Sequence, residues 1–216
     1  FDAAVSRPRV YRQGRFRLAR RFGEAEWFHF PPPLGRARMV LAAQDEVGTL
    51  PHFISMQEMD IKIGGNEINR LRRWYRQGKL RPSASLVSKR FPRTPTPRQV
   101  ARLIRRGVLS NARFALAVVV QGRKADQPLE FRWYGAFPSL YQIRRHGLHA
   151  TPIAYATAHT AALFIKHFPR KLWGVHPPET LPAEVRRPLV RQLKERGIQL
   201  TAKIRKLKQQ EDEEDF

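Results

Sequence analysis

Apolar and polar residues alternate with a period of two over several short stretches of this chain, and recur at helical spacing over others. Val10 and Tyr11, the pair Gln13-Gly14, then Phe16 and Leu18 predict a small arginine-rich hairpin. Pro31-Pro32-Pro33 breaks any regular element. Met39 to Ala43 is a short apolar run, followed by a polar stretch from Gln44 to Thr49. Met59, Ile61 and Ile63 alternate with Asp60 and Lys62, which predicts one half-buried strand ended by Gly64-Gly65. Asn66 is a candidate cap for a helix running to about Gln77. In it Ile68, Leu71 and Tyr75 share a face, and Arg72, Arg73 and Arg76 lie elsewhere.

Thr96-Pro97 pairs a good cap with a good first helical position, Val100, Leu103 and Ile104 follow at helical spacing, and Gly107 stops the helix. Residues 113–121, RFALAVVVQ, put Phe114, Leu116, Val118 and Val120 on one face. Ala115, Ala117 and Val119 are apolar too, so both faces are expected to be covered. Gly122 to Gln127 turns the chain, and Leu129, Phe131 and Trp133 form the return strand of a long hairpin. Thr151-Pro152 repeats the cap signature and opens a helix rich in small residues, to about His167. Trp173-Gly174-Val175 with Pro177-Pro178 is a loop, and Ala183 to Arg196 is a basic helix that Pro188 is expected to interrupt. Ile198, Leu200, Ala202 and Ile204 alternate as a last strand. No internal repeat is present.

Charge changes this picture more than length does. Among 216 residues, Lys and Arg number 41 against 18 acids, a net charge of +23, while hydrophobics at 42% still describe a globular chain. The last residues, QQEDEEDF, are acidic and are expected to be a mobile tail over 209–216. Cysteine is absent, which excludes disulfides, thiolate metal sites and a cysteine nucleophile. No apolar run is long enough to span a membrane.

Candidate chemistry is sparse. Gly64-Gly65-Asn66 lies between a strand and a helix, but GxGxxG and GxxxxGK[ST] are both absent, so it reads as a structural turn. His146 and His149 lack HExxH or an acidic neighbour and read as surface residues, with no metal expected. His159 has two readings, a satisfied core or interface histidine or a proton-exchanging group. The start of the Thr151 helix is a candidate anion or carboxylate site, to which Thr151, Tyr155 and Thr157 can add hydroxyl contacts. Arg72-Arg73-Trp74-Tyr75-Arg76 has the arginine and aromatic mixture of nucleic-acid contact surfaces, although the arginines are spread along the chain.

Four segments together resemble the C-terminal part of saccharopine dehydrogenase-like oxidoreductases. They are MDIKIGG (59–65), NARFALAVVVQGRKADQPLEFRWYGAF (111–137), ATPIAYATAHTAALFIK (150–166) and WGVHPPETLPAEVRRPLVRQLKERGI (173–198). Order and spacing agree over most of residues 1–200, and the last two segments in tandem are the most specific. The resemblance implies an α+β fold, a mixed, largely antiparallel sheet with helices packed on one face, following an N-terminal Rossmann domain that binds NAD or NADP. This sequence is similar to the second domain alone, expected to span 1–208. The start at Phe1 and the missing GxGxxG agree with a lost N-terminal part. There are departures from the family pattern: Thr157 is kept, but Ala158 and Thr160 replace a glycine and a proline, and the added methyl is expected to crowd a nicotinamide or substrate.

The resemblance implies a substrate and dimerisation domain of an enzyme that moves a hydride between NAD(P) and a C–N bond of an amino-acid or polyamine-like substrate. The chain alone is expected to be inactive and homodimeric, in the cytoplasm or an organelle matrix. Thr151, Tyr155 and Thr157 would face the substrate, His159 would transfer a proton, and Lys62 or Arg113 would pair with a substrate carboxylate. The alternative is a basic module that binds RNA or sits in a large assembly. A membrane-surface role ranks third.

Overall fold

The computed structural model describes residues 6–65, 67–79, 95–174 and 176–207. The expected Asn66 cap, Val175 of the loop and the acidic 209–216 tail lie outside them. The protein is α+β, and its described strands form three three-stranded sheets in which all pairings are antiparallel. The chain divides into two compact units, residues 1–92 with 175–181, and residues 93–174 with 182–216.

In the first unit, β1 (Arg9–Arg12) and β2 (Arg15–Leu18) form the expected hairpin. Its two turn residues, Gln13 and Gly14, both have positive φ (51° and 73°), the backbone twist that suits a two-residue hairpin. β3 (Glu26–His29), which hydrophobic periodicity did not reveal, pairs with β4 (Arg36–Leu41) across the proline-rich turn. The polar stretch after β4 is a short helix, α1 (Glu46–Thr49), which buries Val47 and runs into a 3-10 turn at Leu50–His52.

The single strand expected over 59–63 is two. β5 (Glu58–Met59) pairs with β1, and β6 (Lys62–Gly64) pairs with β4. The break falls at Asp60 and Ile61. The Asp60 carboxylate takes Arg12 Nη2 at 2.5 Å, and the Ile61 carbonyl accepts from Ala42 N at 2.9 Å. These contacts carry the chain from one sheet to the next, so strict alternation survives while ladder partners change. Burial opposes the Arg12 charge, but the bond to Asp60 and its nearby charge, with Glu24 adding to both, hold that guanidinium above its ordinary pKa. α2 (Ile68–Arg76) then lays Ile68, Leu71 and Tyr75 against Phe22, Val40 and Ile63, as its periodicity predicts.

In the second unit, α3 (Pro97–Arg105) opens with a full capping box. The Thr96 hydroxyl accepts from Gln99 N, and the Gln99 side chain accepts from Thr96 N. β7 (Ala115–Lys124) and β8 (Gln127–Ala136) make the long hairpin. The turn is tighter than Gly122–Gln127, because Ala125 and Asp126 alone reverse the chain, with φ of 47° and 59°. α4 (Leu140–Arg145), also missed from periodicity, starts in a second capping box between Ser139 and Gln142. α5 (Pro152–His167), α6 (Ala183–Glu195) and β9 (Gln199–Lys206) complete the unit. α6 runs straight through Pro188, whose missing N–H forfeits one bond within the helix without ending it. α3 packs on α4 and α5 on α6, and Ile143, Leu163, Leu189 and Ile198 are buried.

Both faces of β7 were expected to be covered, and they are not. β7 is an edge strand, and the register places Leu116, Val118 and Val120 beside Gly135, Trp133 and Phe131 of β8, which face Leu200, Ala202 and Ile204 of β9. On this apolar face Val118, Val120 and Ile204 are 52%, 54% and 67% exposed. Val119, on the other face, is exposed as well.

Candidate functional site

Four of the six residues singled out from sequence lie on α5 or at its start. Thr151 is the N-cap: its hydroxyl accepts from Ala154 N at 3.2 Å, and Pro152 occupies the first turn, where it lacks an N–H to leave unsatisfied. Tyr155 and His159 are one turn apart, and their rings meet edge-on with centroids 4.1 Å apart. The Tyr155 hydroxyl donates to the Arg196 carbonyl at 3.0 Å, so it ties α5 to the end of α6. His159 is held below its ordinary pKa, first by burial and then by the Arg196 charge, so it is mostly neutral at pH 7. Thr157 is exposed and, two residues from Tyr155, lies on the opposite side of the helix. The structure thus brings Tyr155 and His159 together, puts Thr151 one turn before them, and separates Thr157 from the pair.

Lys62 belongs to the first unit, on β6, and its Nζ lies 3.1 Å from Glu26 Oε2, so the carboxylate it meets is the protein's own. Arg113 is exposed just before β7 and has no ion pair among the described residues.

A buried carboxylate that sequence reasoning did not single out sits in the third sheet. Glu130, 3% exposed at the centre of β8, accepts from Arg132 Nε at 2.6 Å, from Arg132 Nη2 at 3.1 Å and from Gln121 Nε2 at 2.9 Å. Arg205 of β9 stands 3.4 Å away. The Arg132 and Gln121 bonds, supported by the Arg132 and Arg205 charges, outweigh burial and lower its pKa to about 2. Glu130 raises the Arg132 pKa in return. A carboxylate so fully engaged is a structural tie across three strands rather than a proton carrier near neutral pH.

A cluster of arginines lies in the first unit. A cleft of about 330 Å³ is formed by the 20–25 turn and the outer flank of α2, with Arg20, Arg21, Phe22, Arg72, Tyr75 and Arg76 around it. Its floor is the Phe22–Tyr75 ring pair, with centroids 5.5 Å apart. Arg21 donates to the Tyr75 hydroxyl at 3.2 Å. Sequence periodicity had moved Arg72 and Arg76 off the apolar face of α2. It held no signal that Arg20, some fifty residues earlier, would join them, because that contact depends on how the turn packs.

Among the described residues no helix is long and apolar enough to cross a membrane, and no group of three or more His, Asp or Glu is placed to hold a metal ion. No protein-family model matches the chain, and no curated protein matches it.

Proposed function

We propose that this chain is the substrate and dimerisation domain of an NAD(P)-dependent, saccharopine dehydrogenase-like oxidoreductase acting on a C–N bond of an amino-acid or polyamine-like substrate. The observation that carries this reading is the open apolar face of the β7–β8–β9 sheet. A face lined by Leu116, Val118, Val120 and Ile204 favours burial against a second copy, as the dimerisation half of the reading requires. Of the resembling segments, 111–137 and 150–166 fold in the second unit as the long hairpin and α5, and 59–65 folds in the first.

The described residues do not fit a dinucleotide. Every strand pairing is antiparallel, and the one strand–Gly-Gly–helix connection, after β6, lacks the remaining glycines of the phosphate-binding turn. In this reading NAD or NADP is held mainly by another domain, and no chemical step through it is assigned to these side chains. What α5 offers is a neutral His159 positioned by Tyr155, suited to accept a proton from a substrate amine.

Sedimentation of the native gene product tests the assembly, and reduction of NAD or NADP with amino-acid and polyamine substrates tests the chemistry. A dimer converted to monomer by Val118→Lys with Val120→Lys, and a turnover that His159→Gln lowers, are the expected results. A monomeric wild-type protein, or a panel of such substrates with no cofactor reduction, would refute the reading.

A specific observation favours a second reading, a basic module that binds RNA. Arg36 stacks over the exposed Trp27 ring at 4.3 Å, and Arg70 over Trp74 at 5.0 Å, which presents cation and aromatic faces together. Affinity for single-stranded RNA should then fall steeply with salt, and a flat salt response would dismiss it.

A further inference from the structure

The cleft between the 20–25 turn and α2 gathers like charge that the protein itself does not neutralise. Arg20, Arg72 and Arg76 have no carboxylate partner among the described residues. Glu24 is the one acid on the rim, and Arg12 holds its carboxylate at 2.8 Å. The Arg72 guanidinium is pushed below its ordinary pKa, first by the Arg76 charge, then by desolvation, and then by Arg38 and Arg20. Such crowding is unfavourable unless an anion relieves it.

The turn is also held in an uncommon backbone. Phe22 and Glu24 both adopt positive φ (54° and 44°), a conformation that a bulky side chain rarely takes. Burial of the Phe22 ring against Tyr75, and the bond from Leu41 N to the Gly23 carbonyl at 3.1 Å, keep it there. This backbone sets Arg20 on the same cleft as Arg72 and Arg76. Strain retained at a charged concave site is what a preorganised binding site shows. The Tyr75 oxygen accepts from Arg21, which leaves its own O–H free to donate into the cleft.

We infer that this cleft binds the phosphate monoester group of a small organic molecule. Three unpaired guanidiniums match a dianion better than a single carboxylate, and guanidinium suits phosphate geometry through paired N–H donors. The Phe22–Tyr75 floor is apolar and receives the carbon body of the ligand. A nucleic-acid strand would need an open aromatic platform, and here both rings belong to the packing of α2 on the sheet. The site belongs to the first unit, and the inference does not rest on the oxidoreductase reading.

The test is calorimetric titration of the full chain with inorganic phosphate, phenyl phosphate and a short single-stranded RNA at constant ionic strength. Saturable one-to-one binding is expected, tighter for phenyl phosphate than for inorganic phosphate. Arg72→Gln and Arg76→Gln should each lower affinity about tenfold or more. Arg73→Gln, exposed on α2 but outside the cleft, should leave it unchanged. Arg72→Gln should keep an unfolding midpoint close to that of the wild type in phosphate-free buffer and lack the rise that phosphate causes in the wild type, which separates lost binding from lost folding. Absence of saturable binding, or an equal loss in Arg73→Gln, overturns the site. Equal affinity for both phosphates overturns the organic body. RNA bound more tightly than phenyl phosphate, with the loss shared by Arg73→Gln, reassigns the cleft to a nucleic-acid surface.

Discussion

Replacing Glu130 by Gln keeps the shape of the side chain and removes its charge. In the folded protein that carboxyl titrates at about 2 against an ordinary value of 4.5. A difference of that size corresponds to roughly 3 kcal/mol of stability at pH 7, an upper figure because Arg205 is largely exposed and its attraction is screened. The sign follows from the depressed value. The contribution is full well above 4.5, where both states are ionised, and it is lost as pH falls through 4.5 towards 2, where the unfolded chain takes up the proton first. Between pH 7 and pH 3.5 roughly 1–1.5 kcal/mol of it should disappear. Urea unfolding of wild type and Glu130→Gln at a series of pH values isolates this carboxyl, because the other acids are common to both proteins. The variant should be less stable at pH 7, by as much as about 10 °C in thermal midpoint, and the gap should narrow steadily on acidification. A gap that stays constant from pH 7 to pH 3.5 would refute the account of Glu130 as an ionised tie between β7, β8 and β9.

Three further outcomes follow from the packing. Gly64→Ala would drive a Cβ into the Arg38 carbonyl and the Met39 sulfur, so it should cost about 1–3 kcal/mol by chemical denaturation, and an unchanged midpoint would contradict that contact. Leu163→Ala, at a side chain 1% exposed on α5, should cost about 2–5 kcal/mol, and a loss under 1 kcal/mol would mean the helix is not anchored there. The His159 ring should titrate below its ordinary 6.5 by proton NMR, and Arg196→Gln should move it only part of the way back, since burial is the larger cause. Full restoration would reverse that order of causes.

Local signals in the sequence located most elements whose ends are set within a few residues. Thr96-Pro97 and Thr151-Pro152 mark helix starts because capping is a contact between near neighbours, and the Ile68, Leu71 and Tyr75 stripe marks the buried flank of α2. Features set by distant contacts were not legible. The 59–63 segment reads as one strand because alternation reports side-chain facing and not the identity of the ladder partner. The apolar residues of β7 read as buried because composition reports the preference for burial and not whether a layer exists to satisfy it. On α5 the pairing of Tyr155 with His159 follows from four-residue spacing, whereas Thr157 falls on the far side for the same reason. The arginine cleft needed the tertiary fold, since Arg20 and Arg72 meet only through the packing of Phe22 on Tyr75.

The seven residues from Glu58 to Gly64 serve two ladders in succession, Met59 beside Tyr11 and Ile63 beside Val40, with Asp60 fastened to Arg12 between them. Each sheet takes its third strand from this segment, and the two-stranded ribbon left without it is marginal by itself. Neither can release this shared segment without loosening the other, so the two should open as one cooperative unit. Amide hydrogens from both ladders should therefore exchange with solvent at a common free energy of opening, and releasing the Asp60 fastening should split that single value into two.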